Sequence, residues 1–261
     1  MSKAVLFGVP VDRLTMEQTV ARCRDLIEER RPTQHALVNA ATAVMVEEVA
    51  GYREILASCD VVNADGQSVV WAGGLLGVSL PERVAGPDLM ERLLALAEAE
   101  GYPVFFLGAK RDVLPDFERA VLRRYPRLCI AGLHDGYFRD DAAVAEEIRR
   151  SGARLLFVGI SSPRKENFVS QNLARMGPVF AMGVGGTFDI WAGRIRRAPR
   201  WMQNAGLEWL FRLLQEPQRM WTRYLVGNVK FLSLVVREWW RVRRGRGGAA
   251  GRDVSGAGQV R

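Results

Sequence analysis

The feature of this chain that most constrains its fold is a regular alternation of short apolar segments with longer amphipathic ones. The short segments are bounded by turn residues, which is typical of strands. Six strands are predicted on this basis: Ala36–Val38, Val61–Asn63, Val104–Leu107, Cys129–Leu133, Leu155–Val158 and Val179–Met182. Because helices alternate with these strands, the sequence predicts an α/β fold with a mainly parallel sheet flanked by helices.

The amphipathic segments predict seven helices: Thr15–Arg30, Thr42–Ala50, Ser68–Leu76, Asp88–Ala99, Leu114–Tyr125, Asp141–Ser151 and Arg164–Met176. In the fourth of these, Asp88 is the predicted N-cap, and Gly101 and Pro103 end the helix before the next strand. Ligands of parallel α/β sheets bind beyond the C-terminal ends of the strands. Residues that follow the predicted strands are therefore the candidates for a functional site.

Charge is distributed unevenly along the chain. The net charge is +8, but residues 194–246 contain thirteen Lys and Arg against three acidic residues, whereas residues 1–193 are slightly acidic. Such asymmetry indicates a polyanionic partner: anionic lipid, nucleic acid or phosphate groups. We predict an α/β core at 1–193, a basic amphipathic helical appendage at 194–244 and a flexible tail at 245–261.

Trp and Leu recur at helical spacing in the basic region, which favours a membrane surface over nucleic acid. The alternative is that these apolar stripes pack in the core or between two copies of the chain. The sequence leaves both a monomer and a homo-oligomer open, and nucleic acid is not an expected partner.

Cysteine and histidine are sparse. Three scattered cysteines and two histidines match no metal-binding spacing, so no metal is predicted, and the thiols are expected to be reduced and buried. The chain shows no signal peptide and no run of about 18 apolar residues. A cytoplasmic protein is the expectation.

Polar residues follow the first two predicted strands. Asn39 comes after the first strand, and Asp65 lies between the second strand and Gly66. A carboxylate at such a strand end is suited to proton abstraction in a cleft, but Asp65 is equally suited to capping the next helix or forming an Asx turn. In the loop that follows, Arg83 either clamps a phosphate or carboxylate or forms a surface ion pair with Glu82 or Asp88.

A glycine-rich turn, Gly183-Val184-Gly185-Gly186, follows the last predicted strand and precedes Asp189. Backbone N–H groups at such a turn can hold a diphosphate. The turn is neither a dinucleotide-binding GxGxxG motif nor a Walker A loop, which disfavours a dehydrogenase.

Taken in order, these segments resemble the WecG/TagA/CpsF family of bacterial glycosyltransferases over roughly residues 5–225. The segments that carry the resemblance are Asn63–Gly66, Leu80–Gly86 with Asp88-Leu89, Phe106–Gly108, His134–Phe138, Gly183–Asp189, Ala192–Gly193, Arg197–Pro199, Gly206–Trp209 and Gln215–Pro217. The resemblance implies a Rossmann-like core that transfers a sugar from a UDP-sugar donor to a polyprenyl-diphosphate-linked acceptor. It implies inversion at the anomeric carbon, no metal or other cofactor, and an appendage that docks on the inner face of the cell membrane.

The resemblance also implies residue roles. Asp65 corresponds to the proposed catalytic base, with Asn39 and Arg83 in the same pocket. Tyr137, Gly185, Gly186 and Asp189 are the expected contacts of the nucleotide sugar. Arg212, Arg219 and Arg223 fall where relatives place appendage arginines that are thought to meet the acceptor diphosphate.

Two positions depart from the family pattern. Lys165 replaces a common pocket glutamine, and Leu37 replaces a common threonine. Lys165 either binds substrate, where a cation suits a uronic acid or a departing diphosphate, or extends into solvent. The donor sugar is therefore open among N-acetylmannosamine-type sugars, glucose and uronic acids. A non-catalytic relative that binds nucleotide or lipid diphosphate is the alternative function.

Overall fold

The computed structural model describes residues 2–215 and 217–244, except the side chains of residues 204 and 219–224. Its strands are β1 (Lys3–Leu6), β2 (Val9–Asp12), β3 (Thr33–Val38), β4 (Val61–Ala64), β5 (Val104–Gly108), β6 (Ile130–His134), β7 (Leu155–Gly159) and β8 (Phe180–Gly183). Its helices are α1 (Met16–Glu28), α2 (Ala40–Glu48), α3 (Tyr52–Ser58), α4 (Gln67–Leu75), α5 (Gly86–Glu100), α6 (Leu114–Arg124), α7 (Asp141–Ser151), α8 (Arg164–Met176), α9 (Thr187–Trp191), α10 (Arg200–Asn204), α11 (Glu208–Gln215) and α12 (Pro217–Arg243).

Six strands form one parallel sheet in the order β4-β3-β8-β7-β5-β6. Helices flank this sheet, so the predicted α/β, Rossmann-like fold class is confirmed. All six predicted strands are present with ends shifted by one to three residues, and so are all seven predicted helices. The helical C-terminal region is also present as α11 and α12.

The sequence prediction was wrong or incomplete at several elements. Asp88 is not the N-cap of its helix: α5 begins at Gly86 with Ala85 as N-cap, which places Asp88 in the first turn. There a carboxylate still interacts favourably with the helix dipole. The three short helices α3, α9 and α10 were not predicted. Cys129 is exposed, contrary to expectation, whereas Cys23 and Cys59 are buried as expected.

The hairpin formed by β1 and β2 was also missed. Its strands pair antiparallel around a two-residue turn, Phe7-Gly8, in which both residues have positive φ angles of 53° and 75°. A signal was present, because short apolar segments lie on both sides of this dipeptide, which contains a glycine. Each strand has only four residues, which makes such a pattern easy to overlook.

The chain divides into two compact units, which are described separately. The first comprises Met1–Thr15, Leu37–Val84 and Arg197–Arg261. In this unit the buried carboxylate of Asp12 accepts a hydrogen bond of 2.8 Å from the backbone N–H of Val62 and lies 3.5 Å from Lys3 Nζ. These contacts fix the hairpin beside β4. Phe7 in the hairpin turn packs edge-on against Phe231 of α12, with ring centroids 5.5 Å apart.

In the same unit, α12 packs one side against α2. The buried residues of α12 are Phe231, Leu234 and Val235. Beside them, Lys230 Nζ lies 2.6 Å from Glu48 Oε1, and Arg237 pairs with Glu47. Within residues 2–215 and 217–244, no helix has both the length and the apolar character needed to cross a membrane. The predicted tail at 245–261 lies outside the described residues, and the predicted domain boundaries stay a prediction.

The second unit comprises Met16–Ala36 and Ala85–Arg196. Its core includes an aromatic cluster in which Phe188 of α9 stacks on Phe117 and meets Phe106 edge-on. An added Cβ at Gly159, the last residue of β7, would lie 2.9 Å from the Phe188 ring. A glycine is therefore needed at this strand end. Because it has no side chain, α9 can pack directly over the sheet.

Candidate active site

Asp65 lies at the C-terminal end of β4 in the first unit. The four residues of this strand are buried, and Asp65 is partly buried. Its backbone N–H donates a 2.8 Å hydrogen bond to the carbonyl of Val38, the last residue of β3. The N-cap of the following helix is Gly66, with φ of 115°, rather than Asp65. The capping alternative for Asp65 is therefore not what the structure shows.

Asn39 directly follows β3 and is held by a capping box. Its Oδ1 accepts hydrogen bonds from the backbone N–H groups of Ala41 and Thr42 at 3.0 and 3.1 Å. In return, the Asn39 N–H donates to Thr42 Oγ1 at 2.6 Å. Because both cap bonds use the side-chain oxygen, the amide NH₂ is the group that remains to donate to a ligand.

Asn39 and Asp65 follow the adjacent ends of β3 and β4. The hydrogen bond between Asp65 and Val38 aligns the two strand ends, and an added Cβ at Gly66 would lie 3.8 Å from Asn39 Cβ. The contact of the Asn39 and Asp65 side chains in one pocket stays a prediction.

Arg83 is brought to the same strand end by its neighbour in the chain. The N–H of Val84 donates a 2.9 Å hydrogen bond to the carbonyl of Ala64, the last residue of β4. The Arg83 side chain is only 15% exposed, and its Nη1 lies 3.4 Å from Glu208 Oε2. Asn39, Asp65 and Arg83 therefore all lie in the first unit near the ends of β3 and β4, and their shared pocket stays a prediction. Arg83 has a carboxylate partner that the loop sequence does not indicate.

Glu208 of α11 also contacts a second arginine. Its Oε1 lies 3.6 Å from Arg197 Nε, so one carboxylate stands between Arg83 and Arg197. Neither Arg197 nor Glu208 was assigned a role from the sequence. Both belong to segments that carry the family resemblance, which was the one signal that pointed to them. Their separation from Arg83 in the chain hides the contact from any local pattern.

Of the three predicted arginines in the helical appendage, only Arg212 has a side chain that the structure describes. Arg212 lies on α11, one turn after Glu208, and its side chain is partly buried. Its Nε is buried, and no residue in the described part of the chain accepts a hydrogen bond from it. Arg219 and Arg223 lie outside the residues whose side chains are described, so their predicted contact with an acceptor diphosphate stays a prediction.

Lys165 lies at the start of α8 in the second unit and does not extend into solvent. Its side chain is 14% exposed, and its Nζ lies 3.0 Å from Oε1 of Glu166, which is only 3% exposed. Lys165 also donates to Ser162 Oγ at 2.7 Å, and Ser162 donates to the same Glu166 oxygen at 2.9 Å. The cation is thus engaged within the protein, and its predicted role in binding substrate stays a prediction.

The glycine at the end of β8 makes room for this lysine. An added Cβ at Gly183 would lie 2.5 Å from Lys165 Cε. Gly185 has a φ of 54° and open space where a side chain would be, and Gly186 is the N-cap of α9. The backbone is therefore bare at this turn, as a diphosphate contact would require.

Asp189 and Tyr137 complete the set of predicted residues in the second unit. Asp189 is partly buried in α9, and its carbonyl accepts backbone hydrogen bonds from Arg194 and Ile195 at 2.9 and 3.2 Å. Tyr137 is 72% exposed, with its N–H held by Asp135 Oδ1 at 2.9 Å. An exposed phenol can stack on a base, but its contact with a nucleotide stays a prediction.

In the described part of the chain, no three His, Cys, Asp or Glu side chains lie close enough together to hold a metal ion.

Comparison of the sequence with known proteins identifies the class of protein to which this chain belongs. The sequence model of the glycosyl transferase WecG/TagA/CpsF family matches residues 4–245. The chain therefore belongs to this family and is a glycosyltransferase. A curated relative, the N-acetylglucosaminyldiphosphoundecaprenol N-acetyl-beta-D-mannosaminyltransferase of Bacillus subtilis (strain 168), is 34% identical over 201 residues. The alignment covers 77% of this chain and 78% of that enzyme.

Proposed function

We propose that this glycosyltransferase transfers an N-acetylmannosamine residue from its UDP derivative to N-acetylglucosamine carried on a polyprenyl diphosphate. The observation that carries this proposal is the 34% identity to the Bacillus subtilis enzyme, whose name gives that acceptor and that sugar. The transfer inverts the anomeric carbon and needs no metal ion, as the family resemblance implies. Glucose and uronic acid donors are the alternatives that a donor panel separates.

Asp65 is the general base of the proposed reaction. The acceptor hydroxyl oxygen forms a bond to the anomeric carbon while the bond from that carbon to the UDP oxygen breaks on the opposite face. The hydroxyl proton passes to the Asp65 carboxylate. This carboxylate directly follows a buried strand, and the next residue, Gly66, lies close to Asn39. A positioned base of this kind contributes about 10²–10⁴-fold to a rate.

Arg83 stabilises the negative charge that develops on the leaving diphosphate. Its guanidinium presents five N–H donors in a plane, and it is held at the end of β4 by the Val84 backbone. Donors that are already in place before the reaction stabilise such charge without reorganisation. The Asn39 amide supplies a further donor to the sugar or to the acceptor.

The proposed acceptor is lipid-borne, and α12 supplies a surface suited to a membrane. Five apolar residues at helical spacing are between 46% and 63% exposed along one side of it: Leu225, Val229, Leu232, Val236 and Trp240. A cleft of about 480 Å³ nearby is lined by three arginines, Arg237, Arg241 and Arg244, together with Trp240. Apolar anchors flanked by arginines are typical of a helix that lies in the headgroup region of an anionic membrane.

The reaction is tested with short-chain polyprenyl-diphosphate-N-acetylglucosamine and a panel of UDP-sugars, in the presence and absence of EDTA. The panel contains UDP-N-acetylmannosamine, UDP-glucose, UDP-glucuronate and UDP-N-acetylmannosaminuronate. UDP release and a β-linked disaccharide product are expected with the first donor and persist in EDTA. Transfer of glucose or a uronic acid alone would replace the proposed donor, and binding without turnover over the whole panel would favour the non-catalytic alternative.

The base is tested by Asp65→Asn, which removes the proton acceptor and keeps the shape. We expect turnover to fall by about 10²–10⁴-fold with an unchanged melting temperature. Asp60→Asn, at the opposite end of β4, is the matched control and keeps activity. Normal turnover in Asp65→Asn would remove Asp65 from the mechanism.

Membrane docking is tested by flotation with neutral and anionic vesicles. The double variant Leu225→Glu/Leu232→Glu is expected to lose its association with anionic vesicles. The control is Leu122→Glu, since Leu122 is a leucine of α6 that is 37% exposed. Equal flotation with both kinds of vesicle, unaffected by the double variant, would refute docking through α12.

A further inference from the structure

An apolar face of α4, in the first unit, has no part in the reaction as described above. We propose that this face, formed by Trp71 and Leu75, binds the prenyl tail of the lipid-linked acceptor. The inference rests on the proposed function and deepens it, because it assigns a surface to the part of the acceptor that does not react.

Two large apolar side chains of α4 are exposed. Trp71 is 58% exposed and Leu75 is 57% exposed, whereas Val69 and Ala72 of the same helix are buried in the core. Residues four positions apart lie on the same side of a helix, so Trp71 and Leu75 share one face. An exposed apolar face with a tryptophan in it is typical of an interaction site.

The helix starts at the candidate active site. Its first residue, Gln67, comes two positions after Asp65, the proposed base. From the helical rise, Trp71 and Leu75 lie about 6 and about 12 Å further along the helix axis than Gln67. In the proposed acceptor, N-acetylglucosamine and the diphosphate stand between the reacting hydroxyl and the prenyl tail. The tail is therefore expected one or two helical turns away from the base, which is the distance at which Trp71 and Leu75 follow it.

The turn between α10 and α11 packs against the same helix. An added Cβ at Gly206, which has a φ of 68°, would lie 3.2 Å from Gln67 Cβ and 3.2 Å from Trp71 Cη2. Trp201, which is 66% exposed, lies one helical turn before this glycine, since its carbonyl accepts a 3.0 Å hydrogen bond from the N–H of Ala205. A second exposed tryptophan thus belongs to the segment that Trp71 contacts.

The occupant of this face is inferred from the charged groups that follow the same turn. Helix α11 begins at Glu208, two positions after Gly206, and Glu208 contacts Arg83 near the end of β4. The same helix carries Arg212, whose buried Nε has no hydrogen-bond acceptor in the described part of the chain. Arginine suits a diphosphate, and the Trp71 ring suits an apolar tail. Because a prenyl diphosphate carries both groups, we infer it as the occupant rather than a second copy of this chain.

The test is calorimetric titration of the full chain with farnesyl diphosphate and with dimethylallyl diphosphate, which share a head group but have a long and a short prenyl tail. The unmodified chain is expected to bind the farnesyl compound at least about tenfold more tightly, because more apolar tail is removed from water. In Trp71→Gln and in Leu75→Gln this preference is expected to fall to about threefold or less, because the apolar face is lost. The affinity for dimethylallyl diphosphate should be retained in both variants.

Two further variants separate tail binding from a structural role of Trp71. Trp71→Phe keeps an aromatic ring and is expected to keep most of the preference for the farnesyl compound. Leu122→Gln is the matched control, since Leu122 is an exposed leucine of α6 in the second unit, and the preference should be unchanged in it. If Trp71→Gln does not fold because its packing against Gly206 is lost, Leu75→Gln carries the test.

An unchanged preference in the folded Gln variants would overturn the inference, and so would equal affinity for the two compounds, or no binding of farnesyl diphosphate, in the unmodified chain. If Leu75→Gln instead converted a dimer to a monomer in sedimentation, with its preference intact, the face would belong to a second copy. Loss of vesicle flotation with an intact preference would assign it to the membrane surface and likewise overturn the inference. Failure to turn over any UDP-sugar would refute the proposed function, and the results are distinguishable because titration does not require turnover.

Discussion

Two candidate cations of this enzyme, Lys165 and Arg83, are held in different ways. Lys165 in the second unit is paired with its neighbour in sequence, Glu166, at 3.0 Å, and that carboxylate is almost completely buried. Arg83 in the first unit is paired with Glu208, which is distant in sequence, about a third exposed and 3.4 Å away. The charge of Lys165 is paired with a buried carboxylate, whereas Arg83 makes a longer contact with a partly exposed carboxylate.

The difference shows that a cation at a strand end is not automatically a substrate ligand. Removing a partner from a buried ion pair leaves an uncompensated charge in the interior, so Lys165 is needed for stability whether or not it touches substrate. A partly exposed pair contributes little to stability, which leaves Arg83 free to serve binding. Substitutions at the two positions should therefore affect different quantities.

The largest effect is expected for Lys165→Met. Among the described residues, it leaves the buried carboxylate of Glu166 with a hydrogen bond from Ser162 but no cation beside it, and we expect the free energy of unfolding in urea to fall by about 3–5 kcal/mol. Lys165→Gln, which introduces the residue common in the family, should cost less because its amide still donates to the carboxylate.

The double variant Lys165→Met/Glu166→Leu is the control for this interpretation. Replacing both members of a buried pair by apolar residues is often close to neutral, so it should recover most of the lost stability. A Lys165→Met variant as stable as the unmodified chain would show that the pair is not structural and would return Lys165 to the list of substrate-binding cations.

The next largest effect is expected on kcat, when Arg83 is replaced. Arg83→Lys is expected to lower kcat by about 10–100-fold, because a single ammonium replaces a planar fork of donors. The free energy of unfolding should change by less than about 1 kcal/mol, since Glu208 remains partly solvated. Steady-state kinetics and urea unfolding on the same sample measure both. The comparison fails if Arg83→Lys loses stability while keeping its kcat.

A smaller effect separates the two tasks of Asn39. Asn39→Ala removes the helix cap and is expected to cost about 1 kcal/mol in unfolding free energy. Asn39→Ser keeps a capping oxygen but lacks the NH₂ group, so stability should be retained while kcat falls. Equal activity in Asn39→Ser and the unmodified chain would mean that Asn39 only caps α2.

Much of the fold and part of the site could be predicted from the sequence because both depend on local patterns. Apolar runs located all six strands of the sheet, and the rule that ligands lie at strand ends pointed to Asn39 and Asp65. The resemblance added their roles. The contact of Glu208 with Arg83 could not be predicted, since it joins residues that are 125 positions apart in the chain.

Burial was the second quantity that the sequence did not reveal. Lys165 and Glu166 are adjacent in the chain, and a charged dipeptide at the start of a helix is normally exposed. The packing of α8 places Glu166 in the interior, where the carbonyl of Glu166 also accepts a 3.3 Å hydrogen bond from the buried Gln34 side chain. Side-chain burial of this kind depends on tertiary contacts, so local periodicity does not report it.

The smallest effect is expected at Glu146, whose two arginine partners, Arg149 and Arg150, lie close to it in the same helix. Hydrogen bonds from Arg149, followed by those from Arg150, lower the pKa of Glu146 to about 2. The folded-state pKa lies below the ordinary value of 4.5, so the stabilisation is present above that value and is lost as the pH falls toward 2. A carboxyl titration followed by NMR should show a midpoint near 2, and Arg149→Gln should raise it. Because Glu146 is exposed, its substitution should lower the free energy of unfolding far less than Lys165→Met does. If the two substitutions lowered it equally, burial would not be the reason why the Lys165–Glu166 pair matters more to stability than the pairs of Glu146.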